Sequence, residues 1–252
     1  IAAYGTEGQA FAIPNCVAVS FVAQNTKPLT IMKRVGYHGN DLERIEKLNA
    51  LSRRICAEVP DPETAQRWLK ETTAAVRSYA VWIYYLGNFM AAAGFCCVFG
   101  GTVRDWLWAG LSGLIIGFVT RRMDKLETNP FFSTIAAAFA MAVPAYLAAA
   151  FGLVDYADAV IIGSLMILVP GLLITNSMRD IIYGDTNSGV NRIVQVLLSA
   201  LAIAMGTAAA WHITSSLYGQ TAASTLSYPF CLQAIAIAVA CTGFVILFTV
   251  HG

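Results

Sequence analysis

Residues 169–189, VPGLLITNSMRDIIYGDTNSG, bring the chain's most suggestive polar side chains to the end of an apolar run. Pro170 has no backbone N–H and its ring crowds the preceding turn, while Gly171 adds flexibility. A helix through this pair is therefore predicted to kink or break. Backbone groups freed at membrane depth are tolerated where they line a cavity or are buried in protein, and broken helices of this kind can hold a solute near the bilayer midplane. The structural alternative is a plain proline kink, which is common in membrane helices. Asn176 and Asp180 follow four residues apart, on one face of a continuing helix. Arg179 and Asp180 either mark the water boundary, the usual place of charge at a helix end, or form a cytoplasmic gate. The GDTNSG segment reads as a tight turn into the next helix, with Asp185, Thr186 or Ser188 as its cap. No Lys follows at the spacing of a phosphate loop.

Other chemistries fit less well. Gly184-Asp185 and Asp155 suggest an intramembrane aspartyl protease, but both acids fall at loop edges on opposite sides of the predicted membrane. They could not share a proton as a catalytic dyad does, so no enzymatic activity is expected. His38, His212 and His251 are scattered, and His212 reads as an interfacial histidine before a proton site. The six cysteines, Cys16, Cys56, Cys96, Cys97, Cys231 and Cys241, show neither CxxC spacing nor a zinc pattern. They read as packing residues, and neither a metal nor a cofactor is expected.

The elements that must position the 169–189 stretch follow from composition. Apolar residues make up 57% of the 252-residue chain and charged residues 12%, too few charges to cover an ordinary soluble protein. Ten of the sixteen Lys and Arg lie before Tyr79, which gives a polar front and an apolar remainder. The fold class is an α-helical polytopic membrane protein with an N-terminal cytoplasmic α/β domain over residues 1–77. In that domain, residues 12–23 alternate Val17, Val19 and Phe21, then Asn25-Thr26-Lys27-Pro28 signals a turn before residues 29–35, predicting a hairpin. Asn40 or Asp41 caps a helix whose stripe of Leu42, Ile45, Leu48, Leu51 and Ile55 should pack on the sheet. A second helix starts at Asp61-Pro62 and runs towards Val76.

Residues 79–103, 106–120, 130–154, 159–178 and 193–250 contain no Asp, Glu, Lys or Arg. A span needs about 20 apolar residues, and the last run is long enough for two, divided at residues 214–227, so about six transmembrane helices are predicted. They fall into a five-helix module over 78–213 and a further helix over 226–252. Gly, Ala and Ser are frequent on them, as in AAAGF and SALAIAMG, which predicts close helix packing. With the front domain in the cytoplasm, Arg121, Arg122, Lys125, Arg179 and Arg192 share its side, and only Arg104 faces the other. This is the positive-inside pattern, and a multi-pass location in the cell membrane with the front domain in the cytoplasm is expected.

Several of these stretches carry a resemblance. AYGTEGQAFAIPN, NDLERIEKLNALSRRI, FCCVFGGTVRDWLWAGLSG, NPFFSTIAAAF and above all VPGLLITNSMRDIIYGDTNSG with VNRIVQVLLSALAIAMG make the chain resemble the threonine/serine exporter family of secondary transporters, which has two-component relatives linked to dicarboxylate export. The resemblance implies a cytoplasmic domain, five transmembrane helices, and a second membrane module, fused or supplied as a separate subunit, with its own Pro-Gly element. Residues 226–252 resemble the start of that module, so the sequence is expected to be a fragment. The implied function is export of small polar metabolites, threonine and serine first and succinate-like dicarboxylates second, driven by protons. Pro170, Gly171 and Asn176 are then the candidate substrate pathway, and Arg179, Asp180 and Asp185 the candidate gate or proton-coupling residues. The expected partners are the lipid bilayer, the solute, protons and the second module. Homo-oligomerisation is left open, and no nucleic acid is expected. The rival of another class is a membrane-anchored sensory or structural protein with a ligand-binding soluble domain.

Overall fold

In the computed structural model the described residues are 2–13, 16–22, 27–35, 41–75, 80–218 and 228–248. The chain forms two compact units. One comprises Ile1–Ser78, Leu172–Ile193 and Phe248–Gly252, and the other Tyr79–Gly171 and Val194–Leu247.

The first unit opens with a short 3-10 turn at Ala2–Tyr4, followed by β1 (Glu7–Ile13), β2 (Cys16–Val22) and β3 (Leu29–Arg34), an antiparallel sheet in that order. The predicted hairpin is β2–β3, in register through Val19↔Ile31 and Ser20↔Thr30, whose hydroxyls lie 2.7 Å apart. Ala12 and Ile13, read as the start of the first hairpin strand, belong instead to β1, which pairs Ala12 with Val17. The EGQAFAI segment has too few large side chains at alternate positions to announce itself as a strand. Helix α1 (Leu42–Glu58) is capped by Asp41, whose Oδ1 accepts from the Arg44 N–H at 3.0 Å. Helix α2 (Pro62–Ala74) starts with Pro62 in its first turn and Asp61 accepting from the Thr64 N–H at 3.1 Å. The Thr64 hydroxyl and N–H hold the Asp61 carboxyl below its usual range.

The stripe on α1 does not lie on the sheet, contrary to its expected packing. Every residue of β3 and all but the last of β1 remain exposed. Instead α1 meets α2: the Lys47 ammonium donates to the Ala75 carbonyl at 2.8 Å, and the Arg54 guanidinium lies 3.9 Å over the Trp68 ring. Leu48, Leu51 and Ile55 line a hollow with Tyr4 and Leu69. Two short helices can cover each other's apolar stripes, and that pairing wins over the exposed three-stranded sheet. His38, Asn40, Asn25-Thr26, Val76, His251 and residues 219–227 lie outside the described residues.

The second unit is helical: α3 (Val81–Val98), α4 (Val103–Lys125), α5 (Pro130–Ala150), α6 (Ala157–Leu165), the greater part of α8 (Thr186–Tyr218), and α9 (Phe230–Leu247). Helix α3 packs against α4, α6 and α9. Its core is small: Ala91, Ala92, Ala109, Ala137, Ala138, Ala142, Ala145 and Ala159 are fully buried. Small residues let backbones approach, since a methyl at Gly163 would stand 2.5 Å from the Cys96 nitrogen and one at Gly94 2.8 Å from the Ala236 carbonyl. The cysteines are free, with Cys96 and Cys97 buried on α3.

Among the described residues, four helices are long and apolar enough to cross a membrane: Val81–Val98, Pro130–Ala150, Thr186–Ser216 and Phe230–Leu247. The other two predicted spans take a different form. Helix α4 has 23 residues but carries charge near both ends, and the fourth predicted span is divided between α6 and α7 (Gly171–Ile182). Large apolar side chains such as Leu197, Leu201, Met205 and Ile235 are exposed, as a lipid-facing surface requires.

Candidate functional site

The helix predicted to break at Pro170 ends at Leu165, and α7 starts at Gly171. Pro170 has no N–H to continue the ladder, and the residue before a proline is pushed out of the helical region. The stretch between the two helices tightens in part, although the Met166 and Val169 N–H groups still reach four residues back, to Ile162 and Leu165. The Ile167 N–H donates to the Ser164 carbonyl at 3.2 Å and the Leu168 N–H to Leu165 at 2.8 Å, both three residues back, while the Gly171 N–H donates to Val169 at 2.8 Å. Pro144 in α5 gives the opposite result, because that helix continues through it from Pro130 to Ala150.

Helix α7 spaces the break from the charged end. Gly171 and Asp180 are about 14 Å apart along the axis at 1.5 Å per residue, so the structure does not gather Pro170, Gly171 and Asp180 into one site. Asn176 and Asp180 are both half-buried, whereas Arg179 is exposed, with its guanidinium 5.8 Å from the Tyr183 ring centre. Asp180 is engaged: its Oδ2 accepts from the Ser188 hydroxyl at 3.0 Å and lies 3.3 Å from Arg192 Nε. Ser188 and Arg192 sit on the first turns of α8, so Asp180 ties α7 to α8.

The turn between these helices is built for that tie. Gly184 has φ +92°, its N–H donates to Ile181, and the Asp185 N–H reaches back to the Asp180 carbonyl at 2.8 Å, a Schellman termination. A side chain at 184 would be strained there. A methyl at Gly189 would stand 2.5 Å from Ile181 Cγ1, so only glycine admits this approach of α8 to α7. Of the predicted caps, Asp185 occupies the cap position, its carbonyl accepting from the Gly189 N–H at 3.0 Å. The Ser188 hydroxyl is turned to Asp180 instead. Asp185 is exposed and, with residues 184 and 186–188 and with Phe11, Ala12 and Ile13, lines a hollow of about 180 Å³ within the first unit.

Sequence reading treated Arg192 only as part of a charge bias, because a pairing over twelve positions depends on the geometry of the α7–α8 elbow. Asp105 falls between two charge-free runs, 79–103 and 106–120, where an acid reads as lying in a loop. Asp105 is in fact fully buried in the first turn of α4, accepting from the Thr102 N–H at 2.8 Å and the Asp155 N–H at 2.9 Å. The Thr102 hydroxyl, 3.0 Å from Asp105, also reaches the Asp155 carboxylate at 2.8 Å. The TVRD run could have announced this capping box. A third miss is Asn88, 1% exposed in the middle of α3, where a lone polar residue in an apolar run was the available signal. Among the described residues, no group of three or more His, Cys, Asp and Glu is placed to hold a metal.

Comparison with known proteins bears on residues 1–214, which the threonine/serine exporter family model matches. A protein of Mycobacterium tuberculosis named as a probable threonine/serine exporter is 26% identical over 210 residues, 79% of this chain and 39% of the relative. A threonine/serine exporter of Corynebacterium glutamicum is 26% identical over 183 residues, 71% of this chain and 37% of its own length. The chain thus spans about four-tenths of the length of these relatives. No solved structure matches it.

Proposed function

The chain belongs to the threonine/serine exporter family, and on that premise we propose that it forms part of a secondary active transporter that exports threonine and serine at the expense of the proton motive force. The observation that carries this reading is the interruption between α6 and α7 at Pro170-Gly171, within a stretch free of charge from 159 to 178. Such an interruption offers backbone dipoles to a zwitterion, whose carboxylate suits N–H groups and whose ammonium suits carbonyls. Pro170, Gly171 and Asn176 are the solute-contacting part of this reading. Asp180, held by Ser188 and Arg192, is its gate or proton group, with Arg179 and Asp185 beside it in sequence. The basic residues 121, 122, 125, 179 and 192 favour a cytoplasmic location for their side of the membrane and for the amino-terminal domain.

The test is efflux from cells preloaded with a threonine-containing dipeptide. Gly171→Leu and Asp180→Asn are expected to slow efflux about tenfold, leaving more threonine inside. Outside the neighbouring residues and the helix's own backbone, no described atom lies within 4 Å of a methyl built at Gly171, so a side chain can leave the backbone there without a clash at Cβ. Unchanged efflux at a normal protein level sinks the site assignment. Succinate efflux measured in parallel separates an amino-acid exporter from a dicarboxylate exporter.

A further inference from the structure

Helix α4 presents Gly110, Gly113 and Gly117 to α3. A methyl at Gly113 would stand 2.5 Å from the Asn88 carbonyl oxygen and 2.9 Å from Ala92 Cβ. A methyl at Gly117 would stand 2.9 Å from Asn88 Nδ2, 3.1 Å from its Cγ, and 3.3 Å from Tyr84 Cε1. The Asn88 carboxamide and the Tyr84 ring therefore converge on the bare backbone of Gly117. A glycine stripe explains the closeness of the helices. It does not explain why the residue laid into it is an amide.

Asn88 is only half satisfied. Its Nδ2 donates to the Tyr84 carbonyl one turn back at 2.8 Å, while its Oδ1, buried, has no hydrogen-bond partner among the described residues. A buried carbonyl oxygen without a donor is costly, and a packing role would be better served by an apolar side chain of the same size. One turn along the seam, the Tyr84 hydroxyl lies 3.3 Å from Thr120 Oγ1. The Thr120 hydroxyl has one proton and donates it to the Ile116 carbonyl, with the two oxygens 2.8 Å apart, which leaves Tyr84 as the donor of the pair, free to be redirected to a better acceptor. The seam thus offers an acceptor without a donor at Asn88 and a movable donor at Tyr84. That is the complement of an amino acid, whose α-carbon carries both an ammonium group and a carboxylate.

We propose that Asn88 is a specificity-determining residue of the transport pathway, its Oδ1 receiving the ammonium group of an exported amino acid when the α3–α4 seam parts, with the Tyr84 hydroxyl turning to the carboxylate. This rests on the exporter reading and adds a second contact region to it, on helices other than the Pro170 break. A solute lacking the ammonium donor leaves Oδ1 unpaired and is rejected, the discrimination that a site built around a hydrogen bond provides.

The experiment uses the full-length protein in cells lacking their own copy, with initial efflux followed at several internal threonine concentrations. Thermal unfolding of the same variants is followed after extraction. Asn88→Leu is expected to unfold at or above the wild-type temperature, yet to lose about tenfold in efflux at low internal threonine, with a raised apparent KM. Asn88→Gln, which restores the carbonyl one methylene further out, is expected to recover part of the flux, and N-acetylthreonine to be rejected by wild type. Wild-type efflux and KM in Asn88→Leu overturn the assignment while leaving the exporter reading intact. Efflux that falls only in proportion to folded protein reduces Asn88 to packing and also overturns it. A folded wild-type protein that moves no amino acid removes the exporter reading and the Asn88 proposal together.

Discussion

At the scale of single residues, the α7–α8 tie is the arrangement most open to measurement. Asp180 is 21% and Arg192 29% exposed at the side chain, so their interaction is partly shielded from water. A double-mutant cycle between Asp180→Ala and Arg192→Ala, read by denaturant unfolding, should give a coupling of about 1 kcal/mol, the upper end for pairs that solvent still reaches. Additive effects would show that the ion pair contributes nothing. Asp180 was legible in sequence as a candidate, because an acid closing an apolar helix draws notice. Its partners were not, since Ser188 and Arg192 reach it only after Gly184 has turned the chain and Gly189 has let α8 come close. Asn88 was overlooked for another reason: a single amide in an 18-residue apolar helix barely changes the hydropathy that defines the span.

At the scale of elements, the sequence announced the rupture at Pro170 and misjudged how far it extends. The helix ends at Leu165, five residues ahead of the proline, because the residues in between cannot all find partners four positions back. Pro144 shows that a proline alone does not decide the matter. Both prolines follow a valine, but Pro170 is followed by a glycine, which favours leaving the helix, whereas Pro144 is followed by Ala145, a good helix former that carries α5 onward. Pro170→Ala restores a donor and removes the ring clash. Hydrogen exchange at the amides of 167–169 should then slow by about tenfold or more as α6 and α7 join, with efflux falling in the same variant. Exchange unchanged from wild type would mean that the interruption is imposed by packing and not by the proline. The helix caps at Asp41 and Asp61 were the kind of local signal that sequence conveys well. The packing of α1 on α2 was not, because an amphipathic stripe states that a face is covered and not by what.

At the scale of the whole molecule, charge and hydropathy were enough to place the chain in a membrane. They could not settle how many single helices cross it, since α4 bears charge near both ends and α6 and α7 divide one apolar stretch between them. Helix α8 raises a different issue. Its 33 residues rise about 50 Å, while the hydrocarbon core is about 30 Å thick. Its exposed apolar row of Val194, Leu197, Leu201 and Met205 must nevertheless be accommodated by lipid. A helix longer than its solvent is thick leans or lifts its ends out. Lipid chain length therefore acts on this protein as a thermodynamic variable. In proteoliposomes of graded acyl length, initial threonine efflux should pass through a maximum and fall on either side of it. A flat profile would show that α8 absorbs the mismatch without passing it to the rest of the bundle.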